Sequence, residues 1–149
     1  MGKLDKSVEE LTTLLDTFYN EVDGWAELAE IYYLCNQYGF TPITTFRAHV
    51  GFRYGYALQA LSHALLLAPQ NPFYVLEFAE IAHASGDMPL AVKTFLMVVD
   101  MTDDEDVPVT SYQTDITLRA WYGVKLVWRT RDIRHRKLTV CPELTPPDT

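Results

Sequence analysis

Apolar side chains recur at helical spacing along most of the chain, and turn-forming residues separate the periodic segments. The clearest case is the stretch from residue 72 to residue 98, in which apolar residues three or four apart lie on both sides of Gly86. That spacing is typical of two amphipathic helices, and glycine favours the tight turn that joins them. The pattern therefore predicts an antiparallel helix pair.

The sizes of the residues in this pair match the tetratricopeptide (TPR) repeat. Counted from Pro72 as the first position, small residues fall where the two helices cross, and a phenylalanine fills the space beside them. An ordinary helical hairpin would show the periodicity, but nothing in it requires these sizes at these offsets. The predicted packing residues are Ala79, Gly86, Ala91 and Phe95. This resemblance implies an all-α fold, a TPR-like α-solenoid of antiparallel helix pairs.

The segment before this repeat shows the same pattern with an interruption. Its predicted packing residues are Trp25, Leu28, Ala29 and Tyr32 in a first helix and Ala57, Leu61 and Ala64 in a second. The separation between the two helices is too long for the repeat frame. Residues 38–53 contain no Asp or Glu and show no helical period, which predicts an irregular insert at about these positions.

Three hypotheses for the insert remain open. It is an exposed loop with a binding role, an Ω-like decoration without one, or a translated intron. Surface loops tolerate insertions of all three kinds, so the sequence by itself does not separate them. We favour the third, because the composition of the insert is foreign to its neighbours.

The first residues predict the second helix of an earlier repeat. Ser7 and Glu10 have the spacing of a capping box, and Leu11 and Leu14 continue the apolar stripe that follows it. A second helix without its first would leave this stripe in water. The pattern therefore predicts that further repeats precede this helix or that another chain covers its face.

The array is predicted to extend over residues 1–128, with an acidic linker at about 103–114. After the linker, an apolar segment from Ile116 to Trp128 is expected to pack on the preceding pair as the first helix of a third unit. Residues 129–149 are first basic and then proline-rich, and the proline-containing end, residues 141–147, cannot propagate a helix. We expect this tail to be disordered or to be an artefact of gene prediction.

Composition and charge narrow the function classes. The 149 residues carry 20 Asp and Glu against 12 Lys and Arg, a net charge of −8, and this balance disfavours nucleic-acid binding by the folded part. The four histidines are scattered, the two cysteines have no metal-ligand spacing, and no phosphate-binding loop or serine elbow occurs. We therefore expect no enzymatic activity, no cofactor, no metal site and no small-molecule substrate. The apolar runs are too short to cross a bilayer.

Four positions of each first helix line the concave groove of TPR arrays, and this groove is the expected partner-binding face. The corresponding residues are Asp23, Ala26, Glu30, Tyr33, Phe73, Leu76, Glu80 and His83. Their chemistry is aromatic, apolar and acidic. The terminal carboxylate of a partner would meet Glu30 and Glu80, so docking of the co-chaperone type is disfavoured.

Beyond the repeat pattern, the chain resembles the family of TPR subunit 2 of the endoplasmic reticulum (ER) membrane protein complex. The resemblance rests on the runs Asp23–Tyr32, Ala57–Pro69 and Asn71–Tyr74, on Phe78–Glu80, and on Arg119–Gly123 in the next helix. It implies a non-enzymatic scaffold that bridges other subunits of this complex, which inserts tail-anchored and multipass proteins into the ER membrane. The protein would then be peripheral, on the cytosolic face of that membrane, and held there by its partners.

A different class of binder is the alternative. A soluble TPR adaptor that binds an extended peptide in its concave groove would need the same helices and the same groove. The two hypotheses differ in location, since an insertase subunit sediments with membranes although it has no anchor of its own.

Overall fold

The structure of the protein is a computed structural model that describes residues 2–38, 46–103 and 111–139. Helices occupy nearly all of these ranges, and none of the described residues belongs to a strand. The helices of the described part are α1 (Gly2–Thr17), α2 (Val22–Tyr38), α3 (Phe46–Leu67), α4 (Pro72–Ser85), α5 (Met88–Thr102) and α6 (Ser111–Thr139).

Local sequence signals fix both ends of α4 and the start of α5. The side chain of Asn71 accepts a hydrogen bond from the backbone N–H of Phe73 and caps α4, with Pro72 at its first position. Gly86 adopts a left-handed conformation (φ 91°), which ends α4. One residue later, the carboxylate of Asp87 accepts from the N–H of Leu90 and caps α5. The turn between α4 and α5 is therefore specified by its own residues.

The helices stack in chain order. Each helix packs against the next one along the chain, and α4 also contacts α6. Short turns join α1 to α2, α3 to α4 and α4 to α5, so these neighbours run antiparallel. The helices α2 and α3 form one complete pair, here called the first repeat, and α4 and α5 form the second repeat. This is the all-α, TPR-like α-solenoid of antiparallel helix pairs that the sequence predicts.

Two apolar cores lie along the stack. One is built from α1, α2 and α3 together with Ile81 of α4, and the other from α4, α5 and α6. Ile81, which is 2% exposed, therefore ties the second repeat to the first. Because each unit buries its apolar face only against its neighbours, the stability of each unit depends on the units that adjoin it.

Aromatic contacts between α2 and α3 hold the first repeat together. The ring of Trp25 stacks on that of His63 with centroids 4.6 Å apart, and its indole N–H donates to the carbonyl of Tyr19. Further along the pair, Tyr32 lies 5.5 Å from Tyr56, centroid to centroid. Such ring pairs contribute about 0.5–1.5 kcal/mol each beyond the area they bury.

Most of the predicted packing residues are buried. Leu28, Ala29, Ala57, Leu61, Ala64, Ala79, Ala91 and Phe95 are all at most 4% exposed. Trp25 and Tyr32 are half-buried, and Gly86 lies in the turn rather than between helices. Ala79 and Ala91 are buried in one core and Ala29 and Ala57 in the other, and small side chains of this kind allow packed helices to approach closely.

The prediction for α1 is corrected in two respects. The helix begins at Gly2, so Ser7 lies inside it and is not the cap of a capping box. Among the described side chains of α1, Leu15 is the buried one, at 2% exposed, whereas Leu14 is 46% exposed. The sequence shows an apolar stripe in α1, but its orientation depends on which side of α1 meets α2.

Two segments predicted to be irregular are helical. Residues 46–53 belong to α3, which corrects the insert for that half, and residues 39–45 lie outside the described part. Residues 129–139 belong to α6, which corrects the tail, and residues 140–149 lie outside the described part. Once a packed stretch has nucleated a helix, each further residue adds at little cost, and Arg and Lys are good helix formers.

The predicted acidic linker at 103–114 is shorter than expected. Asp103 ends α5, residues 104–110 lie outside the described part, and α6 begins at Ser111. As predicted, α6 packs on the preceding pair, and it buries Ile116, Ala120, Val124 and Val127. No helix among the described residues is both long and apolar enough to cross a membrane.

Candidate protein-binding groove

The first helices of the units, α2, α4 and α6, line one groove. It consists of two adjoining cavities of about 310 Å³ and about 630 Å³. Tyr33 from α2, Glu80 from α4 and Arg119 from α6 border both cavities, so these three residues mark the place where they meet. A groove built by three stacked helices offers a continuous surface to an extended segment of another protein.

Six of the eight predicted groove residues lie together in this groove. Glu30, Tyr33, Phe73, Leu76 and Glu80 line the smaller cavity, and Tyr33, Glu80 and His83 line the larger one. Leu76 is only 2% exposed and belongs to its floor. Asp23 and Ala26 line neither cavity.

Asp23 has a structural contact instead. Its carboxylate accepts a hydrogen bond of 2.7 Å from the hydroxyl of Tyr74, which joins the start of α2 to the start of α4. This hydrogen bond, together with partial burial and the nearby negative charges, raises the pKa of Tyr74 to about 12. The neutral, donating form of the phenol is thereby stabilised, and the contact ties the two repeats together.

Acidic side chains crowd the smaller cavity. Glu30, Glu77 and Glu80 line it, with the guanidinium of Arg119 beside them. Burial raises the pKa of Glu77 to about 6, and the negative charges of Glu30 and Glu80 add to the shift, while Arg119 opposes it. The cavity therefore has more negative charge than its own cation balances.

Arg119 and Glu80 form an ion pair across the groove. The Nη2 atom of Arg119 donates to Oε1 of Glu80 at 2.7 Å. Both side chains are largely exposed (57% and 42%), and an exposed pair of this kind contributes about 0–1 kcal/mol. A partner that offers Glu80 another cation can therefore displace Arg119 at small cost.

His83 carries an unusual polar atom. Its Nε2 atom is buried, and no hydrogen-bond partner for it occurs among the described residues. The side chain lies at the edge of the larger cavity, with Ala84 beside it. A buried nitrogen without a hydrogen-bond partner destabilises the fold. A ligand group that forms a hydrogen bond with it would therefore gain binding free energy.

The sequence interpretation missed the contribution of α6. Asp115, Leu118, Arg119, Tyr122 and Leu126 all line the larger cavity, and Tyr122 is 68% exposed. Their spacing of three or four residues places them on one side of a helix, and this was the available signal. The prediction of Ile116 to Trp128 as the first helix of a third unit uses only the apolar residues of this segment, and only for packing.

No cluster of three or more potential metal ligands occurs within the part of the chain that the structure describes. The groove offers carboxylates, phenol rings, the imidazole of His83 and the guanidinium of Arg119 as functional groups. These groups can form ion pairs, hydrogen bonds and ring contacts with a partner.

No protein-family model matches the chain, and no curated protein matches it. Among solved structures, the fold is similar to one described as the crystal structure of PcrH in complex with the chaperone binding region of PopD. The TM-score is 0.45 at 19% sequence identity, and the match covers 85% of this chain and 95% of the other. A likeness at this level carries no functional argument.

Proposed function

We propose that this protein is a non-enzymatic adaptor that binds an extended peptide segment of another protein in the groove between α2, α4 and α6. The observation that carries the proposal is the groove itself, in which three helices place aromatic and charged side chains along two adjoining cavities. An extended peptide can follow such a surface and place alternate side chains in successive cavities.

The chemistry of the groove indicates which peptide it prefers. Glu30, Glu77 and Glu80 disfavour an acidic segment and favour Lys or Arg at the smaller cavity. Tyr33 and Tyr122 offer phenol rings along the larger cavity, which suit an aromatic or aliphatic side chain. We therefore expect a peptide that alternates basic and apolar residues.

A peptide-display selection against the immobilised full chain tests this function. We expect the selected peptides to bind about tenfold more weakly when Tyr33 or Tyr122 is changed to alanine, since ring contacts and buried area are lost. Leu66→Ala is the matched control, because Leu66 is 79% exposed on α3 and lines neither cavity. If the peptides bind all three variants equally, their binding site lies outside the groove and the proposal is wrong.

The second candidate is a scaffold subunit of the ER membrane protein complex. The observation in its favour is that two segments of the family resemblance meet in space, through the hydrogen bond between Asp23 and Tyr74. In this role the protein would bridge other subunits from the cytosolic face of the ER membrane and would not itself insert membrane proteins.

Affinity purification from detergent-solubilised microsomes distinguishes this candidate. The tagged chain would recover the other subunits of the complex, identified by mass spectrometry, and would sediment with membranes before detergent is added. Asp23→Asn with Tyr74→Phe removes the contact between the two segments and serves as the matched variant. A folded chain that recovers none of these subunits would leave only the adaptor.

A further inference from the structure

One ion pair spans the groove at the place where its two cavities meet. Arg119 of α6 donates from Nη2 to Oε1 of Glu80 on α4 at 2.7 Å. Both residues line the smaller cavity as well as the larger one. A segment that follows the groove through both cavities therefore has to pass this ion pair.

The smaller cavity has the chemistry that a long basic side chain requires. Its lining includes the carboxylates of Glu30, Glu77 and Glu80 and the apolar side chains of Leu34 and Phe73. Lysine and arginine combine an apolar stem with a charged end, so they can use both kinds of surface. The chain's own guanidinium already binds one of these carboxylates, which shows that the cavity accepts a cation.

This guanidinium does not neutralise the cavity, because Arg119 faces three carboxylates. Burial raises the pKa of Glu77 to about 6, and the negative charges of Glu30 and Glu80 add to the rise, while Arg119 opposes it. The carboxylates therefore repel one another although Arg119 is present. A second cation, brought by a partner, is attracted to the same place.

Arg119 has a second acceptor on its own helix. Asp115 lies four residues earlier on α6, and both side chains line the larger cavity. Side chains four residues apart share one face of a helix, where opposite charges can pair. The existing contact with Glu80 holds Arg119 only weakly, since both side chains of that pair are exposed to water. Arg119 can therefore exchange Glu80 for Asp115 and still remain at the groove.

We propose that Arg119 is an internal competitor for the groove, which occupies Glu80 until a basic side chain of the bound segment replaces it. The lysine or arginine of the segment takes Glu80, and Arg119 turns to Asp115, which opens the passage between the two cavities. This inference rests on the proposed peptide-binding function. It adds that the unoccupied groove is closed by its own cation, and that a segment without a basic residue leaves Glu80 unpaired when it enters.

Binding measurements with the full chain test the competition. The probes are fluorescently labelled peptides from the display selection against the unaltered chain, and fluorescence anisotropy gives their affinity. Arg119→Ala should bind them about fivefold more tightly, the largest effect that an exposed ion pair allows, because no paired guanidinium has to be displaced. Arg129→Ala is the matched control, since it removes a guanidinium of α6 that lines neither cavity, and it should bind like the unaltered chain.

The acceptor of the ion pair is tested separately. Glu80→Gln keeps the shape of the side chain and removes its charge, so the same peptides should bind about tenfold more weakly. In this background Arg119→Ala should no longer tighten binding, because the shared carboxylate is gone. Tightening that persists there would contradict competition for Glu80. Urea denaturation verifies that each variant is folded, and the loss of an exposed ion pair should change the midpoint little.

Failure of this inference and failure of the groove give different results. The inference is wrong if Arg119→Ala binds the peptides no more tightly than the unaltered chain while Tyr33→Ala and Tyr122→Ala still reduce binding. It is also wrong if Arg129→Ala tightens binding equally, since the effect is then one of net charge. If the two tyrosine variants bind the peptides unchanged, the groove is not the site, and the proposed function is overturned together with this inference.

Discussion

Two junctions at opposite ends of the array each contain a buried glycine, and the two glycines face very different neighbours. An added Cβ on Gly24 of α2 would lie 2.9 Å from a methyl carbon of Leu15 in α1. The same atom on Gly123 of α6 would overlap the ring of Phe95 in α5. A leucine methyl group can rotate away, whereas a buried ring cannot move without displacing its own neighbours. The side chain that faces a buried glycine therefore decides how much an added methyl group at that glycine would destabilise the fold.

The two junctions also differ in the number of buried side chains that the terminal helix contributes. Among the described side chains, α1 fully buries Leu15, whereas α6 buries Ile116, Ala120, Val124 and Val127. A helix with fewer buried contacts opens at a lower free energy than the rest of the array. We therefore expect α1 to unfold locally before α6, and the following predictions test this difference.

The largest effect is expected from removing the ring that fills the α5–α6 junction. Phe95→Ala should lower the free energy of unfolding by about 4 kcal/mol, because Phe95 is 3% exposed and its loss leaves a cavity. Leu15→Ala should cost less, about 2–3 kcal/mol, because α1 can shift to close the gap. Urea denaturation measures both. Equal costs would show that the two junctions are equally rigid.

The next effect concerns the glycines themselves. Gly123→Ala should destabilise by about 2 kcal/mol through overlap with Phe95, although alanine is the better helix former. Gly24→Ala should stay within about 1 kcal/mol of the unaltered chain. The double variant Phe95→Ala with Gly123→Ala provides the check, since without the ring the second change should no longer destabilise. Additive costs would mean that Gly123 has another role.

A smaller effect separates backbone conformation from close packing. Gly86 has a positive φ and nothing within 4 Å of an added Cβ, so Gly86→Ala should destabilise by about 1 kcal/mol through backbone strain alone. Gly55 in α3 has equally open surroundings in a helical conformation. Gly55→Ala should therefore stabilise by up to about 1 kcal/mol. Thermal denaturation measures both variants. The prediction is wrong if the two substitutions shift the melting temperature in the same direction.

The smallest effect lies in the groove between the two ends. The pKa of Glu77 is about 6 in the folded protein, above its ordinary value of 4.5, so its ionisation destabilises the fold as the pH rises through 6. Glu77→Gln should stabilise at pH 7.5 by less than about 1 kcal/mol, since water screens a half-buried carboxylate, and this gain should vanish by pH 4.5. Urea denaturation at the two pH values measures it, with Glu27→Gln on the exposed side of α2 as control.

Sequence reasoning was accurate where a residue's role is local or depends on its size. The cap residues and the glycine turn between α4 and α5 specify that pair directly, and Ala79 and Ala91 have the size that a helix crossing requires. Six of the eight residues predicted for the concave face line the two cavities, and their role in binding a partner stays a prediction. The extent of α3 and α6 could not be obtained in this way, because a helix that is already nucleated extends into sequence with a weak signal of its own.

The residue pattern is therefore enough to specify an all-α repeat architecture, an acidic balance and the helical spacing of the apolar residues. Which side of α1 faces the core, the contact of Arg119 with Glu80, and the cavity that Tyr122 and Phe95 line from different helices become visible once the helices are packed. This is because periodicity defines the stripes on a single helix. How two stripes meet depends on the crossing of the helices, which side chains distant in the sequence set together.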